Sequence, residues 1–237
     1  MNNRGSFWSS IPPVTKHLLI INFLLWLATL VLQRTSAIDL HDWCGLHYWR
    51  ASDFNAVQLV TYMFMHDSHG IAHVFFNMFS LWMFGGIIER TLGVKRYLFY
   101  YLSCGIGAGL MQELTWEYTL ADMVAAVEAG RMVIDAVGTP ITYNDFITVG
   151  ASGAVFGILL AFGYMFPNMP MYIIPFPFPI KAKWMVIGYG VVELLFGVSG
   201  TMDTVAHFAH LGGMIFGFLI LWYWRRSGTN MGGYGNR

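Results

Sequence analysis

Residues Ile147 to Phe166 read ITVGASGAVFGILLAFGYMF. The stretch is almost wholly apolar, and about 20 residues at about 1.5 Å rise cross a hydrocarbon core of about 30 Å. Near its start stand Gly150, Ala151, Ser152 and Gly153, and Gly153, Gly157 and Ala161 recur at intervals of four. On a helix those three form one smooth ridge that lets another backbone approach closely. A serine beside such a ridge is ordinarily a small packing residue whose hydroxyl bonds back to its own helix. It becomes a nucleophile only if a base stands next to it. What the other residues place around Ser152 decides between the two.

Charged residues make up 11% of the 237, against about 25% in soluble domains, and mean hydropathy is +0.54. This is an integral membrane protein. The formal net charge of zero argues against a nucleic-acid partner. Cys44 and Cys104 are too few for a disulfide framework.

Six apolar stretches are expected to span: about Lys16–Gln33, Ile71–Ile88, Tyr97–Leu114, Ile147–Phe166, Trp184–Val198 and Thr204–Trp224. The predicted class is therefore an all-α, six-helix membrane bundle. Residues 1–15 form a polar N-terminal segment, 16–226 one membrane domain, and 227–237 a Gly- and Asn-rich tail expected to be disordered. The first stretch has basic neighbours and a weak cleavage-like Thr35-Ser36-Ala37, but its apolar run is long for a signal peptide. The connection 34–70 carries Trp43, Tyr48, Trp49 and Phe54, and is expected to lie on or partly in the membrane surface. Between spans three and four, Thr119 with Asp122 resembles a helix start, and Met123, Val124, Val127 and Val133 give a modest apolar face. A short surface helix is predicted there.

An even number of spans puts both termini on one side. That side carries Arg4, Lys16, Arg90, Lys95, Arg96, Lys181, Lys183, Arg225, Arg226 and Arg237, and the other only Arg34, Arg50 and Arg131. The bias makes both termini cytoplasmic. Spans two, four and six then all run inward, and each carries its polar residues in its first two turns: His73 and Asn77, Ser152, His207 and His210. All lie within roughly 10 Å of the outer surface.

Span six has a small face of its own, His210, Gly213 and Gly217, which can dock on the Gly153/Gly157/Ala161 ridge and bring the His210 imidazole beside the Ser152 hydroxyl. Ionisable groups inside a membrane normally face the bundle interior or a wet cavity. Neutral imidazole is a suitable base for a serine near pH 7. The Asn77 amide, the His73 ring N–H and the Ser152 backbone N–H are candidate donors to an oxyanion. Asp203 sits at the mouth of span six and Glu193 on span five, so no acid is expected to orient His210. A Ser–His dyad is predicted in place of a triad, with Phe156, one turn below Ser152, stacked on the imidazole.

These residues resemble the rhomboid family of intramembrane serine proteases. The matching pieces are His73-Val-Phe-Phe-Asn77, Gly150-Ala-Ser152-Gly153 with Gly157, His210-Leu-Gly-Gly213-Met-Ile-Phe-Gly217, and Glu89-Arg90-Thr-Leu-Gly93. The resemblance covers about Gln58 to Leu221. It implies that Ser152 is the nucleophile, His210 the base, and His73 with Asn77 the oxyanion stabilisers. It further implies membrane-spanning protein substrates, entering laterally beside span five and cut in or near their span within the lipid bilayer, and no cofactor. His207 is the competing base, but only His210 has glycines three and seven residues later, as the family's motif requires. Many members carry Trp-Arg just before the second span's His cluster; here Val57-Gln58 stands in that register, and Trp49-Arg50 lies too far upstream. The aromatic four after the serine is often Tyr, here Phe156.

Two rival readings remain. His66, His69, His73, His207 and His210, with Glu193, can be imagined as a metal site, although no His-Glu-x-x-His pattern is present. The other rival is a catalytically inactive relative that binds membrane clients. His66 and His69 are expected to be solvated at the outer mouth. The expected location is a bacterial plasma membrane, since no cleavable transit segment is evident.

Overall fold

The computed structural model describes residues 7–36, 38–68, 70–172, 178–199 and 206–229. His69, Asp203, Thr204 and most of the glycine-rich tail lie outside the described residues. The chain is organised by seven main helices: α1 (Pro13–Thr35), α2 (Ile71–Leu92), α3 (Val94–Thr119), α4 (Ala121–Glu128), α5 (Ser152–Met165), α6 (Ala182–Ser199) and α7 (His207–Arg226). Four of them, α1, α2, α6 and α7, are long and apolar enough to cross a membrane.

Helix α1 starts where its sequence compels it to. Pro13 occupies the first helical position, which suits its fixed φ and missing N–H. The next two amides, of Val14 and Thr15, donate to the Glu89 carboxylate at 2.9 and 2.7 Å, and the Thr15 hydroxyl adds a third bond at 2.8 Å. The Glu89-Arg90 segment at the end of α2 therefore caps α1 from across the bundle, with Arg90 donating to the Ser10 carbonyl. In the middle of α2, Leu81–Gly85 form a single wide π-turn.

Helix α3 is the central post. It buries Tyr97, Tyr100, Tyr101 and Cys104 completely. The expected glycine ridge on α5 is used on two sides. A Cβ on Gly213 of α7 would collide with the Gly153 carbonyl, while one on Gly157 would meet the Cys104 sulfur of α3. Gly217 makes room for Tyr100, whose hydroxyl donates to the Gly157 carbonyl at 2.8 Å. α5 is thus wedged against α3 and α7 together, where the sequence suggested α7 alone.

Helix α5 is shorter than expected. It begins only at Ser152 and has 14 residues, about 21 Å of helix. Ahead of it, Ile147–Thr148 (β2) pairs antiparallel with Leu46–His47 (β1). Through this ribbon part of the 34–70 connection packs into the protein. Leu46, His47 and Tyr48 are buried inside the protein, and Tyr48 packs edge-on against Trp116 and Tyr143. Trp43 and Trp49 stay exposed. Trp49-Arg50, out of register by sequence, is fixed to the end of α3: Arg50 pairs with Glu117 at 2.6 Å and the Trp49 amide donates to Glu113 at 2.9 Å. The surface helix between spans three and four is present as α4, but Thr119 does not cap it. Its hydroxyl bonds back to Thr115 within α3, because α3 continues to Thr119.

Candidate active site

The first turns of α2, α5 and α7 meet around one cavity of about 450 Å³, lined by Tyr62, Asp67, His73, Gly150, Ser152 and His210 among others. Ser152 is the first residue of α5, so its amide is among the first-turn N–H groups that lack an intrahelical acceptor. Its side chain is hydrogen-bonded to His210: Ser152 Oγ and His210 Nε2 are 2.8 Å apart. Phe156, one helical turn along, lies parallel to the imidazole with centroids 4.3 Å apart and planes 8° from parallel. Both contacts match the sequence expectation, and His210, not His207, is the imidazole at the serine.

His73 approaches from the other side. Its Nδ1 accepts from the Asp67 amide at 3.3 Å, which leaves Nε2 as the N–H of the neutral ring. A Cβ on Gly150 would come 3.1 Å from His73 Nε2 and 3.4 Å from Ser152 Oγ, so both groups border the space that glycine leaves free. Gly150 also has φ +138°, a conformation L side chains rarely adopt. Its amide is held by the Tyr62 carbonyl at 3.0 Å. Asn77 is buried one turn below His73, and its amide donates to the His73 carbonyl at 2.9 Å. It does not line the cavity.

Two expectations are corrected. His66 is not solvated at a mouth; it is fully buried, its ring 5.2 Å from that of His73. The turn carrying it is drawn inward, where the His41 ring bonds the His66 carbonyl. Glu193 is also not remote from His210. Its Oε2 lies 2.9 Å from His210 Nδ1 and 2.7 Å from His207 Nδ1. α6 packs beside α7, so an acid on one helix reaches imidazoles on the next; spacing along the sequence carries no signal of that. The supposed cluster of histidines is accordingly divided. His66 and His73 stand together, and Glu193, His207 and His210 form a separate trio whose ligand-type atoms lie within 4.8 Å of one another, a donor set that could also take a transition metal.

Fold and site define a helical membrane protein that holds a serine–imidazole pair in a cavity among its helices. The chain belongs to the rhomboid family: the Rhomboid domain model matches residues 48–227. Similar proteins include Rhomboid protein 1, mitochondrial, of Saccharomyces cerevisiae, 31% identical over 151 residues, 64% of this chain and 37% of that protein. Rhomboid protease GluP of Bacillus subtilis is 27% identical over 153 residues, 63% of this chain and 22% of its own length. The putative rhomboid protease YdcA of the same organism is 26% identical over 210 residues, covering 87% and 88% respectively. The chain thus spans well under half of the first two relatives.

Proposed function

We propose that this chain is an intramembrane serine protease that cuts membrane-spanning proteins in or near their span. The observation that carries this reading is the 2.8 Å contact between Ser152 Oγ and His210 Nε2 at a cavity, in a chain whose relatives include named rhomboid proteases. Ser152 Oγ attacks the scissile carbonyl carbon as His210 Nε2 takes its proton. The resulting oxyanion receives hydrogen bonds from His73 Nε2–H and the Ser152 amide, with Asn77 as a third donor once its side chain turns. Collapse breaks the C–N bond, and His210 returns the proton to the leaving amine. Water, deprotonated by the same imidazole, then hydrolyses the acyl-serine. No cofactor enters this scheme.

The same proposal includes six spans, with α3 and the short α5 joining the four long apolar helices, and cytoplasmic termini as the Lys/Arg bias requires. Because α5 is about 21 Å long, Ser152 lies within the hydrocarbon depth and is reached through the cavity. The location proposed is a bacterial plasma membrane.

A fluorophosphonate probe on the purified protein tests the reading. Labelling should disappear in Ser152→Ala and in His210→Ala and persist in a chelator, and cleavage of a model single-span substrate should follow the same pattern. Cleavage by Ser152→Ala at a comparable rate would refute the assignment. Folded wild type that neither labels nor cleaves would favour the client-binding alternative.

A further inference from the structure

We infer that Glu193 is a positioning residue for His210, so that the reacting unit is a relay of three groups with His207 as the clamp on its acid. The inference rests on the protease reading for its activity consequences and on geometry for its substance.

An imidazole can take the Ser152 proton only on an unprotonated nitrogen. The 2.8 Å contact assigns that role to His210 Nε2, so the neutral ring must carry its hydrogen on Nδ1. Nothing in an isolated imidazole enforces that tautomer. Glu193 Oε2, 2.9 Å from Nδ1, does enforce it, because a carboxylate accepts and cannot donate. The same oxygen supplies a counter-charge when His210 becomes imidazolium, a state that is costly in a low-dielectric interior without a partner. Phe156 fixes the plane of the ring; Glu193 fixes which edge faces the serine.

His207 completes the arrangement. Its Nδ1 lies 2.7 Å from the same carboxylate oxygen, while its Nε2 is buried with no partner among the described residues. With Nδ1 against a carboxylate, which can only accept, the ring donates its Nδ1–H to Glu193. Two N–H groups then converge on one oxygen and hold the carboxylate in place. The Phe196 ring, 5.6 Å from His207, closes the outer side. The ionisable groups that line the cavity beside this relay are His73 on α2, Asp67 just before it and Tyr62; among the described residues no Lys or Arg lines the cavity.

The test uses the full chain in detergent micelles and three variants, Glu193→Gln, Glu193→Asp and His207→Gln. It reads the rate of fluorophosphonate labelling, kcat and KM for a single-span substrate, and the ¹⁵N shifts of the His210 ring. Glu193→Gln should slow labelling by about 10- to 100-fold, as for an orienting group acting through the base, by lowering kcat with KM unchanged. Glu193→Asp should recover part of the rate, and His207→Gln should cost a few-fold. The ¹⁵N spectrum should show a single Nδ1–H tautomer of His210 in the wild type and a mixture in Glu193→Gln. A Gln variant with wild-type rate and an unchanged tautomer overturns the inference. So does a wild-type spectrum that a chelator alters as the Gln variant does, since the trio would then be a metal site. If Glu193→Gln does not fold, the wild-type tautomer with the Asp and His207 variants decides. Folded wild type in which Ser152 never labels counts against the protease reading alone, because the tautomer still reports on Glu193.

Discussion

Phe156 lies flat on the His210 imidazole, centroids 4.3 Å apart and planes 8° from parallel. Such a contact is worth about 0.5–1.5 kcal/mol, and here it opposes rotation of the base away from Ser152. Phe156→Leu should therefore slow probe labelling about 3- to 10-fold with little change in melting temperature. Phe156→Tyr, which keeps the stack, should stay within about twofold. Equal rates for Leu and Phe would show that the ring is held by its hydrogen bonds alone.

Gly150 is constrained twice, by φ +138° and by the His73 ring beside it. Alanine there adds backbone strain of about 1–3 kcal/mol and a methyl group 3.1 Å from His73 Nε2. The expected outcome for Gly150→Ala is a folded protein labelled at least about 10-fold more slowly, since the carbon displaces the His73 N–H proposed above as an oxyanion donor. Labelling at the wild-type rate would mean that the position of His73 does not matter.

His73 and Asn77 should no longer behave alike. His73→Ala removes the N–H that borders the serine and should lower kcat about 100-fold. Asn77 acts from one turn below, with its amide engaged by the His73 carbonyl, and Asn77→Ala should cost about 10-fold. Kinetics on a single-span substrate separate the two, and a larger loss at Asn77 would reverse the ranking.

Glu89 accepts two amides and a hydroxyl at the start of α1. Glu89→Ala leaves those donors unpaired and should cost about 2–4 kcal/mol of stability. A melting curve in detergent should fall by several degrees, while the labelling rate measured well below the transition stays at the wild-type value. An unchanged melting temperature would show that water caps the helix equally well.

Burial, with the neighbouring His73 imidazole as a further cause, pushes His66 from the ordinary 6.5 down to about 3. The native state then binds fewer protons than the unfolded chain between those values. This contribution to stability is complete above pH about 6.5 and is lost as pH falls towards 3. The melting temperature should drop between pH 7 and pH 4.5, and His66→Phe should flatten that drop. A variant with the same acid sensitivity as wild type would place the titrating group elsewhere.

Much of the site was legible because its residues are tied to helical periodicity. Ser152, His210 and Phe156 follow from spacing of three and four on two helices whose small faces match, and the structure brings all three together. The misreadings fall where periodicity gives no information. Glu193 is one residue on a neighbouring helix, and only the packing of α6 on α7 brings it to His210. His66 belongs to an irregular turn, whose burial no pattern announces. Helix α5 starts five residues after Ile147, because Ile147 and Thr148 pair with Leu46 and His47 across a long loop. Loop-to-loop pairing of that kind leaves no mark in local composition.

Helix α6 buries only Ala182, Met185 and Val186, all near its start, and turns Ile187, Val191, Leu194, Leu195 and Val198 outward. The carboxylate beside His210 is therefore mounted on the least buried of the four long apolar helices. A displacement of α6 would carry the carboxylate away from the imidazole, so the contact between Glu193 and His210 depends on how this helix is seated.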